Sequence, residues 1–424
     1  MKCINCKNRN LEKIVVIGSQ PLSGVFYKKP NRNLKKYSLD LFQCNNCELV
    51  QLKKTARKNQ MFGETYEYRT SLSNLMKNHI YEKILSLKKN KFLNKNSNVL
   101  DIGSNDGTFL NYLEGKGNLI GIDPSAKKFK KFYNEDIHIC NDFFSKKKVF
   151  NFIKRKRIKI KKFDLITSFA MFYDVDDPNN FCKDVSESLD NDGIWVLELS
   201  YLPLMLKNLT YDQICHEHIG YYTLTSFQKI IHNNNLKIIN TKFNEINGGS
   251  IEIICAKKNS KHKIYKKKIE KILRDEKKIK KSSFENFNKR INEVRKKLQK
   301  FLKENNKKKI IGYGASTKGN IVLNHCKVKK NQIQFICDGS LRKRNKYTPG
   351  TNIKIISKEI MRRKKPKFLL VLIWSFRKEV IKQELNYLRN GGQLVFHLPR
   401  FHIVNIKNYK SFLKNDFKKL SYNL

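Results

Sequence analysis

The stretch at residues 98–110, NVLDIGSNDGTFL, constrains the fold of this chain more than any other. Two apolar residues lead to Asp101, and Gly103 and Gly107 are then spaced through a turn that runs into a second apolar stretch. This order predicts a strand, a tight turn and a helix, which together begin a βαβ unit. Glycines at the turn let a ligand approach the backbone closely, although many nucleotide-binding folds begin with one such turn.

Further apolar runs follow at the spacing expected of an α/β, doubly wound sheet. Leu119–Ile122 ends in Asp123, where an acid can bind ribose hydroxyls, and Asp142 precedes two phenylalanines that suit an adenine ring. Residues 163–168 and 193–198 predict the next two strands, and the sequence contains no GxxxxGK phosphate loop. This order is typical of a class I S-adenosylmethionine (SAM) methyltransferase; the alternative is that the acids only cap helices. The predicted cofactor contacts are Asp101, Gly103, Ser104, Asn105, Gly107, Asp123, Asp142 and Phe169.

Two CxxC pairs, Cys3 with Cys6 and Cys44 with Cys47, lie near the amino terminus. Each pair presents two thiolates from one turn, and two such turns close a tetrahedral zinc site. The protein would supply all four ligands and leave no position open for catalysis, so the predicted zinc is structural. The alternative is four free thiols in a reducing cell. Short apolar strands between the pairs predict a small β-rich zinc-binding module over residues 1–60.

The formal net charge of the chain is +51, from 88 Lys and Arg against 37 Asp and Glu. Such an excess favours nucleic acid or an anionic surface as a partner. The lysines are, however, spread along the whole chain, which indicates a compositional bias, so we expect no nucleic-acid partner. The chain starts with polar residues, and its longest apolar run, 368–376, is too short to cross a bilayer. We therefore expect a cytoplasmic protein without a membrane segment.

The densest cluster of polar and aromatic residues lies at 211–222, YDQICHEHIGYY. In a strand, His216 and His218 would share one face, and Glu217 would lie on the other. Histidine titrates near neutral pH and can remove a proton next to a carbonyl when a carboxylate or a tyrosine, such as Tyr222, holds it. The alternatives are a metal pair, for which the HExxH spacing is absent, and two half-exposed surface histidines.

Residues 244–254, NEINGGSIEII, predict a turn that enters a strand. Gly248 and Gly249 permit a close backbone approach, and Asn247, Ser250 or the adjacent amides can contact an anionic or oxyanionic group. The alternative is a plain hairpin turn.

The last third of the sequence contains a lysine-rich segment followed by a second glycine turn. Across residues 261–308, apolar residues recur three and four apart, which predicts one long amphipathic linker helix. This helix packs on its own domain or forms a dimer seam. Residues 309–424 then repeat the order of strand, glycine turn and helix, where Gly314, Lys318 and Asn320 suit a phosphate at the helix start. Taken alone, this part also fits an NAD-binding module.

Seven motifs occur in one order along nearly the whole chain: CxxC…CxxC, DIGSNDG, AMFYDVDDP, CHEHIGYY, NGGS, GYGASTKGN and YTPGT. In this combination the chain resembles the SAM-dependent C-methyltransferases that act on nucleotide-linked keto sugars, in their three-part form. The resemblance implies a zinc-binding module at 1–60 and a methyltransferase core at 61–260. After the linker, it implies a second Rossmann-like domain at 309–424 that helps to hold the sugar nucleotide.

The resemblance also implies a reaction in which a proton leaves the carbon next to a ketone and the resulting enolate attacks the SAM methyl group. The base of the family corresponds to His218, Glu217 assists it, and a tyrosine before the first core helix corresponds to Tyr68. Two departures lie close to this site, because the family has a tyrosine at the position of Cys215 and a histidine near that of Asp174. They affect which sugar and which carbon react more than the reaction type.

Two other functions stay open on the sequence. One is an RNA methyltransferase whose zinc module and lysines bind phosphates, and the other is a nucleotide-binding protein without catalysis. The oligomeric state also stays open. The predicted catalytic residues are His218, Glu217, Tyr68, His216 and Tyr222, and the predicted substrate contacts are Asn247, Gly248, Gly249, Ser250, Gly314, Lys318 and Asn320.

Overall fold

The computed structural model describes residues 1–53, 56–62, 68–115 and 117–414. The amino-terminal part contains short strands that form two small sheets, in which β4 lies between β1 and β5, and β2 pairs with β3. These strands are β1 Leu11–Val15, β2 Ser19–Pro21, β3 Lys36–Ser38, β4 Leu41–Cys44 and β5 Val50–Leu52.

A seven-stranded sheet forms the centre of the molecule. Its strands are β6 Val99–Ile102, β7 Leu119–Ile122, β8 His138–Cys140, β9 Phe163–Phe169, β10 Leu189–Ser200, β12 Leu236–Asn244 and β13 Ser250–Lys257, while β11 Gly220–Tyr221 belongs elsewhere. The order across the sheet is β12-β13-β10-β9-β6-β7-β8, and β6 to β10 run parallel. Strands β7 and β8 are added on one side of β6, whereas β9 and β10 are added on its other side, so the strand order switches between β6 and β9. Ligands of doubly wound sheets bind at the carboxyl ends of the strands at such a switch point.

The predicted helix after the first glycine turn is absent from the described residues, where a short 3₁₀ turn, Leu110–Tyr112, takes its place. The connection to β7 then turns sharply at Gly115 and Gly117. A Cβ atom at either glycine would lie about 2 Å from a backbone carbonyl oxygen, so the chain passes too close to its neighbour for a regular helix.

The α-helices cover both faces of this sheet and of the second sheet. Those of the amino-terminal and central parts are α1 Lys58–Phe62, α2 Asn74–Lys89, α3 Ala126–Phe129, α4 Lys146–Arg155, α5 Pro178–Ser188, α6 Leu202–Asn208 and α7 Leu224–His232. The later ones are α8 Lys266–Glu276, α9 Lys281–Glu304, α10 Thr317–His325, α11 Lys358–Arg363, α12 Arg377–Gln383, α13 Leu385–Arg389 and α14 Tyr409–Lys414.

The prediction of one long helix over 261–308 is wrong, because two helices, α8 and α9, share this segment. The carboxylate of Glu276 accepts hydrogen bonds from the backbone N–H groups of Leu224 and Thr225, which anchors the end of α8. Ser283 then accepts a hydrogen bond from the Lys280 N–H and caps the start of α9. The apolar stripe of α9 is buried within this chain, and its members are Phe284, Phe287, Ile291, Val294, Leu298 and Phe301.

A six-stranded sheet follows α9, in the order β16-β15-β14-β17-β18-β19. Its first five strands run parallel and the last, β19, is antiparallel. The strands are β14 Ile310–Tyr313, β15 Phe335–Cys337, β16 Lys354–Ile356, β17 Phe368–Val371, β18 Gln393–Phe396 and β19 His402–Val404. As in the first sheet, the glycine turn follows a central strand, β14.

The amino-terminal sheet is completed by a strand from the centre of the chain, because β11 pairs with β5. Apolar side chains of β1, β4 and β5 share one core with α6, α9 and the second large sheet. The amino-terminal module therefore packs against both later parts of the molecule. In the described parts of the chain, no helix is long and apolar enough to cross a membrane.

Candidate active site

A cavity of about 260 Å³ opens at the carboxyl ends of β6, β7 and β9. Six of the eight predicted cofactor contacts line it, namely Asp101, Gly103, Ser104, Asn105, Asp123 and Phe169. Its apolar wall includes Met76, Ile80, Phe109, Met171 and Phe181. The first glycine turn therefore brings carboxylates, small residues and aromatic rings to one concave surface.

The two glycines of the first turn have different roles. Gly103 lines the cavity with φ at +76°, and a Cβ atom there would lie 3.0 Å from Met171. Gly107, with φ at +75°, does not line the cavity, and a Cβ atom there would lie 2.7 Å from the ring of Tyr133. Tyr133 in turn donates a hydrogen bond to the Asn105 carbonyl oxygen over 2.9 Å. Gly107 therefore supports the turn on the side away from the cavity, and its direct contact with the cofactor stays a prediction.

Both acids predicted to contact the cofactor at this cavity, Asp101 and Asp123, are buried. Burial raises the pKa of Asp101 to about 7, although a 2.6 Å hydrogen bond from Thr167 opposes the shift. Burial also raises the pKa of Asp123, which accepts hydrogen bonds from the backbone N–H groups of Ser125 at 2.6 Å and Asn105 at 3.0 Å. Asp123 thus lines the cavity and also holds the turn through these hydrogen bonds.

Asp142 does not line the cavity, and its contact with the cofactor stays a prediction. Its carboxylate turns to Lys148, whose Nζ lies 2.6 Å away, and the neighbouring rings of Phe143 and Phe144 line the cavity instead. The adjacent residues thus point in different directions, which the sequence does not show.

Sequence reasoning missed a buried ionic group at the floor of the cavity. Glu198, at the carboxyl end of β10, lines the cavity and is paired with Lys83 at 2.7 Å and His79 at 2.9 Å, both on α2. Asn244 donates a further hydrogen bond over 2.6 Å. Burial alone would raise the pKa of Glu198, but the charge of Lys83 and the contacts of His79 lower it to about 2. The position of Glu198 at the end of a predicted strand is the signal that could have identified it.

The four cysteines of the CxxC pairs form one cluster, in which all four Sγ atoms lie within 4.8 Å of one another. The Sγ atoms of Cys3 and Cys47 are 3.4 Å apart, and those of Cys6 and Cys44 are 3.5 Å apart. Four thiolates at such separations fit a tetrahedral zinc ion with Zn–S bonds of about 2.3 Å.

The HEH segment, residues 216–218, lies in a turn just before β11, so the face-sharing expected of a strand does not apply to it. Both ring nitrogens of His216 face the amino-terminal module: Nε2 donates to the Gln20 carbonyl oxygen over 3.2 Å, and Ser23 Oγ lies 3.2 Å from Nδ1. Burial lowers the pKa of His216 to about 4. His216 thus links the central part of the chain to the amino-terminal module, and its catalytic role stays a prediction.

Glu217 and His218 lie beside the cavity rather than on its lining. The His218 ring packs on Tyr173, with 4.0 Å between the centroids, and the next residue, Asp174, lines the cavity. Burial lowers the pKa of His218 to about 3, and the charge of Lys318 acts in the same direction. Burial raises the pKa of Asp174, and the nearby Glu217 adds to this shift.

The two predicted catalytic tyrosines differ in their surroundings. Tyr68 lines the cavity, with 49% of its surface exposed. Tyr222 is fully buried against Phe172 and Phe227 and does not line the cavity, so it contributes to packing, and its catalytic role stays a prediction. Tyr66, two residues before Tyr68, lies outside the described residues.

The predicted substrate contacts of the two glycine turns meet around Lys318. The Lys318 Nζ donates to Asn247 Oδ1 over 2.9 Å, which joins α10 to the turn before β13. A Cβ atom at Gly248 would lie 2.7 Å from the ring of Trp374, whose indole N–H donates to Asp212 over 2.8 Å. The turn is a hairpin between the antiparallel strands β12 and β13, and its side-chain contacts also make it part of the interface between the two large sheets.

The four other predicted substrate contacts are engaged inside the protein. Ser250 Oγ donates to the Ile246 carbonyl oxygen, and Asn320 Nδ2 donates to the Ser23 carbonyl oxygen. Gly249 and Gly314 have positive φ angles and pack closely on neighbouring side chains. Among these residues, Asn320 still has a buried Oδ1 atom without a partner in the described structure.

Three family models match the chain in succession. The model described as "Putative zinc binding domain" matches residues 3–62, that of "Methyltransferase domain" matches 76–241, and that of "C-methyltransferase C-terminal domain" matches 245–399. Together they follow the order of the zinc cluster, the cavity and the second sheet. The chain is a three-domain SAM-dependent C-methyltransferase. Its cofactors are SAM and zinc, for which the cavity and the four cysteines are the candidate sites.

Individual relatives of this C-methyltransferase agree with that assignment. The C-methyltransferase NovU of Streptomyces niveus is 24% identical over 415 residues, which cover 96% of this chain and 97% of the relative. Ribosomal RNA small subunit methyltransferase G of Malacoplasma penetrans is 37% identical over 98 residues, 22% of this chain and 40% of the relative. The solved plantazolicin methyltransferase BpumL is 14% identical with a TM-score of 0.34, over 44% of this chain and 86% of that chain. A TM-score this low adds no argument, and the fold assignment follows from the strand order and the domain matches.

Proposed function

We propose that this enzyme methylates the carbon next to a ketone of a nucleoside-diphosphate sugar, in sugar or polysaccharide biosynthesis. One observation supports this most: the turn with Glu217 and His218 lies between Asp174, which lines the SAM cavity, and Lys318, which belongs to the second glycine turn. A substrate seated there can present a carbon to the cavity and an anionic group to α10. The proposed domain boundaries are 1–60, 61–260, 261–308 and 309–424.

The proposed roles follow from this placement. When bound, SAM supplies an electrophilic methyl group. His218 is neutral near pH 7 and can take the proton from the carbon next to the ketone, while Lys318 is close enough to offset negative charge on the substrate. A diphosphate beside Lys318 would in turn offset its charge and raise the pKa of His218, so substrate binding would strengthen the base. Tyr68 lines the cavity wall and can orient the sugar.

The chemistry of the site also favours a hydroxylated substrate. Around Lys318, several buried side-chain oxygens have no hydrogen-bond partner in the described structure, which is costly unless a ligand or water satisfies them. Oxygens of this kind accept hydrogen bonds from hydroxyl groups. They are Asp174 Oδ1, Asp212 Oδ1, Gln213 Oε1, Glu217 Oε2 and Asn320 Oδ1.

The test combines SAM with a panel of nucleoside-diphosphate keto sugars and measures product mass. We expect one methyl group to be added to at least one sugar, at carbon. The His218→Ala variant should lose turnover while its SAM affinity, measured by calorimetry, stays within about twofold of the wild type. A matched control, His232→Ala, changes an exposed histidine of α7 and should keep full activity. Loss of SAM binding with His218→Ala, or no product from any sugar, would refute the proposal.

A second candidate, an RNA methyltransferase, is favoured by the charge of +51 and by the 98-residue similarity to the ribosomal RNA enzyme of Malacoplasma penetrans. It gives no role to Lys318 or to the second glycine turn. Methyl transfer to a ribosomal RNA fragment, with affinity that falls steeply as salt rises, would support it over the sugar proposal.

A further inference from the structure

Residues 20–24 of the amino-terminal module, here called the amino-terminal loop, reach the turn that carries the proposed catalytic residues Glu217 and His218. Gln20 and Ser23 are buried, with 3% and 0% of their surface exposed. Both residues contact α10: Gln20 Nε2 donates to the Ile321 carbonyl oxygen over 3.3 Å, and the Ser23 carbonyl oxygen accepts from Asn320 over 2.8 Å. The loop therefore lies across the start of α10, where the substrate is proposed to bind.

The same loop holds the HEH turn through His216. Because the Gln20 carbonyl oxygen can only accept, the ring proton of His216 lies on Nε2, and Nδ1 is then an acceptor. Ser23 meets that acceptor with its hydroxyl at 3.2 Å and with its N–H at 3.4 Å. Both ring nitrogens are thus engaged by the loop, which fixes the residue directly before Glu217.

Gly24 gives the loop a direct contact with Glu217. A Cβ atom at Gly24 would lie 2.7 Å from Glu217 Oε1 and 3.4 Å from Thr317 Oγ1. Gly24 does not have a positive φ angle, so an alanine there meets a steric conflict with the carboxylate and no backbone strain. The absence of a side chain at position 24 therefore leaves the room that Glu217 occupies.

The other end of the HEH turn is also tied to the amino-terminal module. Leu52 donates a backbone hydrogen bond to the Ile219 carbonyl oxygen over 2.9 Å, and Gln51 of β5 pairs with Gly220 of β11. The side chain of Gln51 accepts from the Ile4 N–H over 2.8 Å, inside the first CxxC pair. The module thus holds residues 216–220 from both ends.

We propose that the amino-terminal loop is a positioning element of the methyl-transfer site, which sets the place of the Glu217 carboxylate and thereby of His218. This inference rests on the proposed function for the roles of these two residues. It assigns the zinc-binding module a part in catalysis in addition to its own folding.

The test replaces Gly24 with alanine and compares it with Gly339→Ala, where a Cβ atom meets open space at an exposed position. We expect Gly24→Ala to lower kcat about 100-fold, since displacing a catalytic group by about 1 Å can cost this much. The SAM affinity, the KM for the sugar nucleotide and the unfolding midpoint should stay near the wild-type values. Gly339→Ala should be unchanged in all four measurements.

Repeating the substitution in a Glu217→Asp variant separates an effect on the position of the Glu217 carboxylate from general damage to the fold. In Glu217→Asp, the shorter side chain leaves room for the added methyl group, so we expect Gly24→Ala to cost less than about tenfold there. An equal loss of kcat in both backgrounds would overturn the proposal. So would wild-type kcat in Gly24→Ala.

One measurement is independent of the substrate. If the loop positions the HEH turn, amide hydrogen exchange of residues 213–221, read by mass spectrometry, should be faster in Gly24→Ala than in the wild type and in Gly339→Ala. Unchanged exchange would overturn the inference even if the sugar substrate is correct. Faster exchange in an enzyme that methylates no keto sugar would support the positioning role and refute the proposed function alone.

Discussion

Glu198→Gln tests the buried ionic group beneath the cavity most directly. The Glu198 carboxylate, with 2% of the residue exposed, accepts from Lys83 at 2.7 Å, from His79 at 2.9 Å and from Asn244 at 2.6 Å. A glutamine has nearly the same shape but carries no charge, and its NH₂ group cannot accept from these donors. Lys83, itself only 6% exposed, would then be left with Glu252 as its acidic partner.

The magnitude follows from the pKa of the group. Burial opposes ionisation of Glu198, yet Lys83 and His79 bring its pKa to about 2, against an ordinary value of 4.5. A difference of this size corresponds to about 3 kcal/mol of folding free energy at neutral pH. Breaking a buried pair usually costs about 3–5 kcal/mol, and the remaining contact with Glu252 places the expected loss at the lower end.

The assay is urea unfolding followed by tryptophan fluorescence. The chain has two tryptophans, Trp195 on β10 and Trp374 in the second large sheet domain. With Trp374→Phe in both proteins, Trp195 reports on the central sheet, three residues from Glu198. A loss of about 3 kcal/mol should appear as a lower midpoint with little change in slope.

The pH dependence of the stability difference between Glu198→Gln and the parent protein can contradict this reasoning. The folded-state pKa of Glu198 is depressed, so its contribution is complete above pH 4.5 and is lost as the pH falls towards 2. The difference between Glu198→Gln and the parent protein should therefore shrink to less than about half near pH 3. A loss below about 1 kcal/mol at pH 7, or one of equal size at pH 3, would contradict the assignment of Glu198 as a charge stabilised by buried partners.

Three further outcomes are expected. Gly107→Ala should weaken SAM binding at least about tenfold in calorimetry, because the residue needs a positive φ and its Cβ atom would meet Tyr133; unchanged affinity would mean that the turn can adjust. Cys44→Ser should remove bound zinc, read by elemental analysis, and raise amide exchange across the amino-terminal strands, whereas full zinc retention would contradict a four-cysteine site. Leu298→Ala on α9 should lower the free energy of unfolding by about 2–5 kcal/mol without changing the mass of the particle in solution. A change to a smaller oligomer would instead assign the stripe to a dimer seam.

The central sheet could be predicted because its signals are local. Leu119–Ile122 matches the predicted strand in full, since four apolar residues before an acid suit a strand that is buried on both faces. The predicted helix after Gly107 was wrong for an equally local reason, because Gly115 and Gly117 let the chain pass against a neighbouring carbonyl instead. Periodicity over residues 261–308 identified the buried stripe but not the break before α9, which depends on the contacts of Glu276 with a distant helix.

The candidate site was predictable only in part. Asp101 and Asp123 follow strands, and the ends of adjacent parallel strands must meet, so their shared cavity follows from the sequence order. The direction of a side chain within a turn does not follow from that order. His216 and His218 are two residues apart, yet one faces Gln20 and the other packs on Tyr173.

The position of the HEH turn gives a reason for the three-part arrangement of the chain. Glu217 meets Gly24 of the zinc-binding module and lies beside Asp174 of the cavity, and its neighbour His218 lies within reach of the charge of Lys318 on α10. Burying two carboxyl groups side by side costs folding free energy, which contacts from the neighbouring parts must offset. The turn is therefore ordered by all three parts at once. It follows that damage to any one of them should displace the proposed proton-transfer groups, Glu217 and His218, even when the cavity itself stays intact.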